Sequence, residues 1–178
     1  GNLANKITLD YSTDLGLANS PTFTEVTPVG TYRAKLHSTK AGNTDITVLV
    51  DGVTLNQKAP LTVIADAQSA QVRGDIKVSK TTETVGNQVT ISAQFEDANG
   101  NQLGAGIPVF WTANDGSQLS DNQTTTDANG RSEVTVQRSD VGYANITVNL
   151  TSQNTKTAPT ISFTQGTIDT SKTVFNIT

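Results

Sequence analysis

The side chains best suited to bind an ion lie in two short segments of the same type. Asp97–Gly100 and Asp127–Gly130 both read Asp-Ala-Asn-Gly, and Asp115 and Asp121 lie between them. Calcium takes about six to eight oxygen ligands, and neither segment is followed by the acidic residue that completes an EF-hand loop. Asn and Gly tolerate positive φ, and an Asp side chain can accept a hydrogen bond from the backbone two residues on. We therefore interpret both segments as turns and expect no bound metal.

Nucleophilic catalysis has few candidate residues in this chain. His37 is the only histidine and there is no cysteine, which also makes a zinc site implausible. A Ser-His-Asp triad needs a second group that holds the histidine, and nothing in the sequence suggests one. His37 follows Leu36 on the predicted polar face of a strand, so we expect a solvated side chain. The sequence predicts no catalytic, cofactor-binding or metal-binding residue, and it identifies no partner-binding residue.

Two further groups of surface residues have both a functional and a structural interpretation. Phe23, Phe110 and Tyr143 either anchor a partner as exposed aromatics or pack at a sheet margin or module junction. Four asparagines begin Asn-x-Ser/Thr sequons, which accept glycans in secreted eukaryotic proteins. We attribute these four sequons to a composition rich in Thr and Asn: Asn122, Asn145, Asn149 and Asn176.

The composition restricts the class of protein. The 178 residues carry a net charge of −4, and the charges are scattered. Nucleic-acid binding needs a concentrated basic surface, so we exclude a nucleic-acid partner. No apolar run approaches the length of a membrane-spanning helix. Thr and Val favour strands, whereas Asn, Gly and Asp favour turns, and no stretch has the apolar spacing of a helix. We expect an almost helix-free, all-β chain.

Alternation of apolar and polar residues predicts the strands that position the turns. Seven or so short strands around a single tryptophan indicate an immunoglobulin-like β-sandwich, here without a disulfide. Trp111 is expected between the two sheets, beside Val89, Ile91, Val134 and Ile146. The predicted inward-facing residues fall into five runs: Val89, Ile91, Ala93 and Phe95; Ile107, Val109 and Trp111; Val134 and Val136; Ala144, Ile146, Val148 and Leu150; Ile161 and Phe163.

The chain also matches itself at an offset of 100 residues, which is the size of a whole small domain. Tyr11 corresponds to Trp111, and a second match at a different offset relates Gly74 and Ile76 to Gly166 and Ile168. Identical residue types meet at the following pairs: Ile7 and Ile107, Gly16 and Gly116, Gly30 and Gly130, Gly42 and Gly142, Ile46 and Ile146.

These matches predict tandem immunoglobulin-like domains. Residues 1–67 are expected to form one domain that lacks its first strands, residues 68–165 a complete domain, and residues 166–178 the first strand of a following domain. The alternative for residues 1–67 is a domain of different, shorter topology. Residues 65–74 are interpreted as a short linker without proline or a Gly/Ser run, so neighbouring domains should form a semi-rigid rod.

Four segments carry a family resemblance: VTISAQFEDANGN at 89–101, GIPVFW at 106–111, TTTDANGR at 124–131 and GYANITV at 142–148. They resemble the group-1 bacterial Ig-like domains (Big-1) of the intimin/invasin adhesins, the inverse autotransporters. The resemblance covers nearly all of residues 75–164. It extends to residues 7–63, where the segment Glu25–Gly30 departs from the usual Asp-Ala-Asn-Gly turn.

The resemblance implies a non-enzymatic segment of an exported rod that spaces and displays a tip in cell adhesion. It implies the surface of a Gram-negative bacterium, with outer-membrane anchoring only through a domain outside this chain. The implied partners are a host-cell surface protein or glycan, another bacterial surface component, and neighbouring Ig-like domains. The alternative is an accessory Ig-like module of a secreted carbohydrate-active enzyme. That module would need a face of planar aromatics, and the chain has three Tyr, five Phe and one Trp.

Overall fold

The computed structural model describes residues 9–13, 15–16, 21–150 and 154–167. Nearly all regular structure in these ranges is β-strand, and the single helical element is a short 3₁₀ turn at Ala67–Ser69. The expectation of an almost helix-free chain is therefore confirmed. Over the described ranges, no helix has the length and apolar character needed to cross a membrane.

The first part of the chain forms a three-stranded antiparallel sheet and a separate hairpin. The sheet has the order β1-β4-β5, and β2 pairs with β3 in the hairpin. The five strands are β1 (Leu9–Ser12), β2 (Thr24–Val26), β3 (Thr31–Arg33), β4 (Gly42–Val50) and β5 (Val53–Val63).

The second part forms an Ig-like β-sandwich. Its two larger sheets have the orders β10-β12-β8-β6 and β11-β9-β14-β15, and a third sheet, β13-β16-β7, contains a parallel pair between β16 and β7. The strands are β6 (Gln71–Val78), β7 (Thr82–Thr84), β8 (Val89–Glu96), β9 (Pro108–Ala113), β10 (Ser117–Leu119), β11 (Gln123–Thr125), β12 (Arg131–Arg138), β13 (Gly142–Ala144), β14 (Ile146–Asn149), β15 (Lys156–Thr157) and β16 (Ile161–Thr164).

The predicted inner faces form the core of the sandwich. Trp111 is 1% exposed and belongs to one buried cluster with Val89, Ile91, Val134 and Ile146, as expected. The Trp111 indole Nε1 donates a hydrogen bond of 2.8 Å to the Thr124 hydroxyl, which satisfies its single polar group. No disulfide holds the sandwich, because the chain has no cysteine.

Three details of the strands differ from the predictions. The alternating run from Ala144 to Leu150 is interrupted at Asn145, because β13 pairs with β16 whereas β14 pairs with β9 and β15. Ser92, predicted on a polar face, is buried because β8 is a central strand between β6 and β12. Residues 71–74, predicted as linker, begin β6, where Gln71 pairs with Glu96 and completes the ladder at β8.

The 100-residue match is also a match of strand register. The ladder β1–β4 contains residue pairs that correspond to pairs in the ladder β9–β14. The ladder β4–β5 likewise contains a pair that corresponds to one in the ladder β13–β16. The corresponding pairs are Tyr11–Val48 and Trp111–Val148, Ser12–Thr47 and Thr112–Thr147, Gly42–Val63 and Gly142–Phe163. The two parts therefore share the register of these ladders, although the first part has one three-stranded sheet and the sandwich has three sheets.

The two parts differ in how much they bury. Ile146 and Val148 are fully buried, whereas their counterparts Ile46 and Val48 are half-buried, and Val53 is 68% exposed. Among the described residues before Ala65, no strands correspond to β6 and β8, which contribute much of the apolar cluster in the sandwich. The inner face of the first sheet is consequently less well covered.

Candidate functional site

Asp97 follows β8, and its carboxylate is saturated by hydrogen-bond donors. Oδ1 accepts from the backbone N–H of Asn99 and of Asn101, both at 2.9 Å. Oδ2 accepts from Asn101 Nδ2 at 2.8 Å and from the backbone N–H of Asp66 at 3.1 Å. Asp97 is 1% exposed. Four donors therefore occupy the oxygens that a cation would need.

The ionisation of Asp97 is set by two opposing effects. Burial raises the pKa of the Asp97 carboxyl, because a charge is poorly solvated inside the protein. Hydrogen bonds from Asn101, Asp66 and Asn99 outweigh burial, and they hold the pKa below its usual value. Asp97 is thus a buried carboxylate that is charged at neutral pH and compensated entirely by N–H groups.

Asp127 forms the same turn at the surface. Its Oδ1 accepts from the backbone N–H of Asn129 at 2.8 Å and of Arg131 at 2.9 Å. Gly100 and Gly130 end the two turns with φ of 80° and 64°. The interpretation of both Asp-Ala-Asn-Gly segments as turns is confirmed, including the hydrogen bond from the backbone two residues on.

Asn101 connects the Asp97 turn to the first part of the chain. Its Nδ2 donates to the carbonyl oxygen of Thr39 at 2.8 Å, and its Oδ1 accepts from the backbone N–H of Ala41 at 2.9 Å. We call this pair of contacts the Asn101 bracket. It joins backbone and side-chain groups that lie about 60 residues apart in the sequence. Sequence reasoning missed Asn101, because only long-range folding brings residues 39–41 beside it.

Arg138 organises the loops at the opposite end of the sandwich. Its guanidinium donates to the carbonyl oxygen of Asp115 at 2.8 Å and to the Ser117 hydroxyl at 3.0 Å. A Cβ placed on Gly116 would lie 2.7 Å from this guanidinium, so the glycine provides the space for it. Asp115 therefore belongs to a loop that Arg138 holds through the backbone. The predicted candidates did not include Arg138, although it ends an alternating strand.

The remaining polar candidates do not converge on one site. His37 is exposed as expected, but it lies in the loop after β3 and not on a strand, because β3 ends at Arg33 with the ladder to β2. Asp115 and Asp121 lie in different exposed loops. Within the described ranges, no three His, Cys, Asp or Glu side chains are placed to hold a metal ion.

The sequons and aromatic candidates are also dispersed. Tyr143 is 64% exposed, whereas Phe23 and Phe110 are half-buried. Of the sequon asparagines, Asn122 and Asn145 are exposed and Asn149 is half-buried. Asn176, and most of the strand predicted at 166–178, lie outside the described residues.

Comparison with protein families gives a match over the sandwich. Residues 73–164 match the family described as bacterial Ig-like domain (group 1). The chain is 28% identical over 127 residues to the inverse autotransporter adhesin YeeJ of Escherichia coli K12. That alignment covers 71% of this chain but only 5% of YeeJ, so the chain spans a small fraction of the relative's length.

Three solved structures share the fold. FdeC, an Escherichia coli adhesin, has a TM-score of 0.69 at 19% identity, over 92% of this chain and 54% of that one. InvD of Yersinia pseudotuberculosis has a TM-score of 0.62 at 22% identity, over 97% and 51%. Invasin, a bacterial integrin-binding protein, has a TM-score of 0.62 at 24% identity, over 89% and 33%. At these identities the likeness shows a common tandem Ig-like fold.

Proposed function

Because this chain belongs to the group-1 bacterial Ig-like domain family, we propose that it is an extracellular repeat segment of a bacterial surface adhesin. It acts as a semi-rigid rod that spaces and displays a binding region located elsewhere in the adhesin. The observation that carries this proposal is the pair of register-matched β units joined by a hydrogen-bonded junction. Units of this kind repeat along one direction, and the length of the rod increases with each copy.

We propose the domain division predicted from the sequence, with domains at 1–67 and 68–165 and a following strand at 166–178. The 3₁₀ turn at Ala67–Ser69 and the start of β6 at Gln71 support a boundary near residue 68. The family match that begins at residue 73 and ends at 164 supports a domain of the proposed extent.

The segment is proposed to be non-enzymatic and exposed at the cell surface. YeeJ is named an inverse autotransporter adhesin, which supports export and anchoring through a domain outside this chain. Invasin is described as integrin-binding, which supports a host-cell surface protein as the partner of the whole adhesin. Neighbouring Ig-like domains are the partners of the segment itself, and no cofactor is required for this role.

The alternative function, an accessory module of a carbohydrate-active enzyme, has little support. A sugar-stacking surface needs several planar aromatic rings side by side. Within the described ranges, Tyr143 is the single aromatic among the exposed large hydrophobic residues. The position of Tyr143, isolated at one end of the sandwich, therefore favours the spacer function over a sugar-binding platform.

A surface-height measurement tests the proposal. The chain is placed between an outer-membrane anchor and an epitope tag, and one or two further copies of residues 68–165 are inserted. Strands of this length with their loops give about 35–45 Å per domain, so the height of the epitope above the membrane should increase by about that amount per copy. An epitope height that does not change with copy number would contradict the spacer function.

A further inference from the structure

We propose that the loop Asp97–Asn101 is an inter-domain docking element that recognises the backbone of loop 39–41 in the preceding Ig-like unit. The Asn101 bracket and the contacts of Asp97 and Ala98 to the linker would fix the angle between the two units. This inference rests on the proposed rod function and gives the rod's stiffness a specific origin. The partner that the loop recognises is the far-end loop of another Ig-like domain.

The Asn101 bracket holds loop 39–41 at two points. A carboxamide offers one acceptor and an NH₂ donor, which is the same complement of groups that a peptide unit presents to a neighbouring strand. Asn101 uses both toward residues 39–41, at 2.9 Å to the Ala41 N–H and 2.8 Å to the Thr39 carbonyl. Two hydrogen bonds from one planar group restrict rotation as well as distance.

Asp97 fixes the orientation of the Asn101 amide. The ionised carboxylate only accepts hydrogen bonds, so the NH₂ of Asn101 must face Asp97 Oδ2, at 2.8 Å. The amide oxygen then points toward the Ala41 N–H, and the second amide hydrogen remains for the Thr39 carbonyl. The bracket is therefore set in its binding orientation by the same domain that carries it.

The linker belongs to the same hydrogen-bond network. Asp97 Oδ2 accepts from the Asp66 N–H, and the Ser69 hydroxyl oxygen accepts from the Ala98 N–H at 3.2 Å. Asp66 also caps the 3₁₀ turn, because its Oδ1 accepts from the Gln68 N–H at 3.0 Å. The segment 66–69 is thus held against the docking loop and cannot act as a free hinge without breaking these hydrogen bonds.

The same sandwich contains a second Asp-Ala-Asn-Gly turn, which serves as a comparison. The Asp127 turn has the same four residues, but Arg131 occupies the position of Asn101. Arginine has no acceptor and cannot receive a backbone N–H, and the Arg131 guanidinium pairs instead with Glu133 on β12. The residue after the Asp-Ala-Asn-Gly turn therefore distinguishes a docking turn from a solvent-exposed one. By the 100-residue match, loop 39–41 corresponds to residues 139–141, between β12 and β13.

Distance measurement between spin labels tests the docking element in the whole chain. The chain has no cysteine, so Gln57→Cys in the first unit and Asp121→Cys in the second take the two labels specifically. The key variant is Asn101→Arg, which the Asp127 turn shows to be compatible with this turn type. The control is Arg131→Ala, which alters the matched turn away from the junction. Tryptophan emission from Trp111 verifies that each variant keeps its sandwich.

We expect a narrow distance distribution in the parent chain and in Arg131→Ala, and one about twofold wider in Asn101→Arg, because domain motion is the default without a fixed interface. Hydrogen exchange at the Ala41 amide should become faster only in Asn101→Arg. A narrow parent distribution that stays narrow in Asn101→Arg would overturn the docking element and leave the rod intact. A broad distribution already in the parent chain would overturn both the docking element and the semi-rigid rod.

Discussion

Trp111 combines the largest side chain of the core with a satisfied polar group. The indole lies in the buried cluster, and its N–H reaches Thr124, whose hydroxyl also contacts the Ser132 hydroxyl at 2.5 Å. Its position was predictable because Trp111 and Val109 are two residues apart on β9 and therefore share one face of the strand. The partner of its N–H was not predictable, because Thr124 lies on β11 and comes into reach only through the β11–β9 ladder.

Replacement of Trp111 by alanine tests the core assignment. Removal of a large buried aromatic side chain leaves a cavity, so Trp111→Ala should lower the free energy of unfolding by about 3–5 kcal/mol. Chemical denaturation followed by circular dichroism measures the change, with Phe110→Ala on the same strand as a control of smaller effect, since Phe110 is half-buried. An unfolding midpoint that barely moves in Trp111→Ala would show that the indole does not stabilise the core.

The two turn glycines allow a matched test of backbone strain and close packing. Both have positive φ, so alanine at Gly100 should cost about 1–2 kcal/mol. A Cβ at Gly130 would also lie 2.7 Å from the Leu103 carbonyl oxygen, whereas a Cβ at Gly100 would have no heavy atom within 4 Å. Gly130→Ala should therefore lower the free energy of unfolding by about 1–3 kcal/mol more than Gly100→Ala, because the added methyl group overpacks the site. Equal unfolding free energies for the two variants would argue against the close contact at Gly130.

At the level of strands and loops, the sequence predicts which face of a strand is buried better than it predicts which strand lies beside it. Alternation identified the buried face of β8, β9, β12 and β14, because one face of each strand is covered by the opposing sheet. It could not show that β13 and β14 join different sheets, or that β16 pairs in parallel with β7, since pairing depends on residues far apart in the chain. The docking loop has the same limit: the Asp97 and Asp127 turns share four residues, and the difference between Asn101 and Arg131 at the next position acquires a role only through contact with residues 39–41.

The lowered pKa of Asp97 predicts how the junction responds to acid. A carboxyl with a lower pKa in the folded protein stabilises it fully above the ordinary value of 3.8. That stabilisation is lost as the pH falls through the folded value. Asp97→Asn removes a charged acceptor of four hydrogen bonds and should cost about 1–3 kcal/mol at neutral pH. The difference from the parent chain should shrink as the pH falls below the ordinary value of 3.8, where the carboxyl of the unfolded chain begins to take up a proton.

Urea unfolding at several pH values measures this dependence, with Asp127→Asn as the matched surface control. The Asp127 carboxylate makes hydrogen bonds within its own exposed turn, so its replacement should have a smaller effect. An Asp97→Asn effect that stays constant from about pH 7 to pH 3 would contradict the lowered pKa of Asp97 in the folded protein.

For the molecule as a whole, the expected independence from metal ions remains a prediction. An ion that binds only the folded state raises the melting temperature, and removal of the ion lowers the melting temperature. The oxygens of Asp97 are occupied by N–H donors, and Asp115 and Asp121 lie in different loops. We therefore expect the same melting temperature in calcium and in chelator. A calcium-dependent increase would reveal a carboxylate site that the turns conceal.

The matched register of the two units also affects how the chain folds. The β1–β4 ladder and the β9–β14 ladder share three corresponding residue pairs, so pairing of β1 with β14, or of β9 with β4, would keep the same register over those pairs. Such exchanges between neighbouring repeats are a recognised route to misassembly. Only side chains can discriminate against them, and Tyr11 in place of Trp111 would leave the core of the sandwich underfilled. Divergence between adjacent copies thus keeps each domain folding with itself.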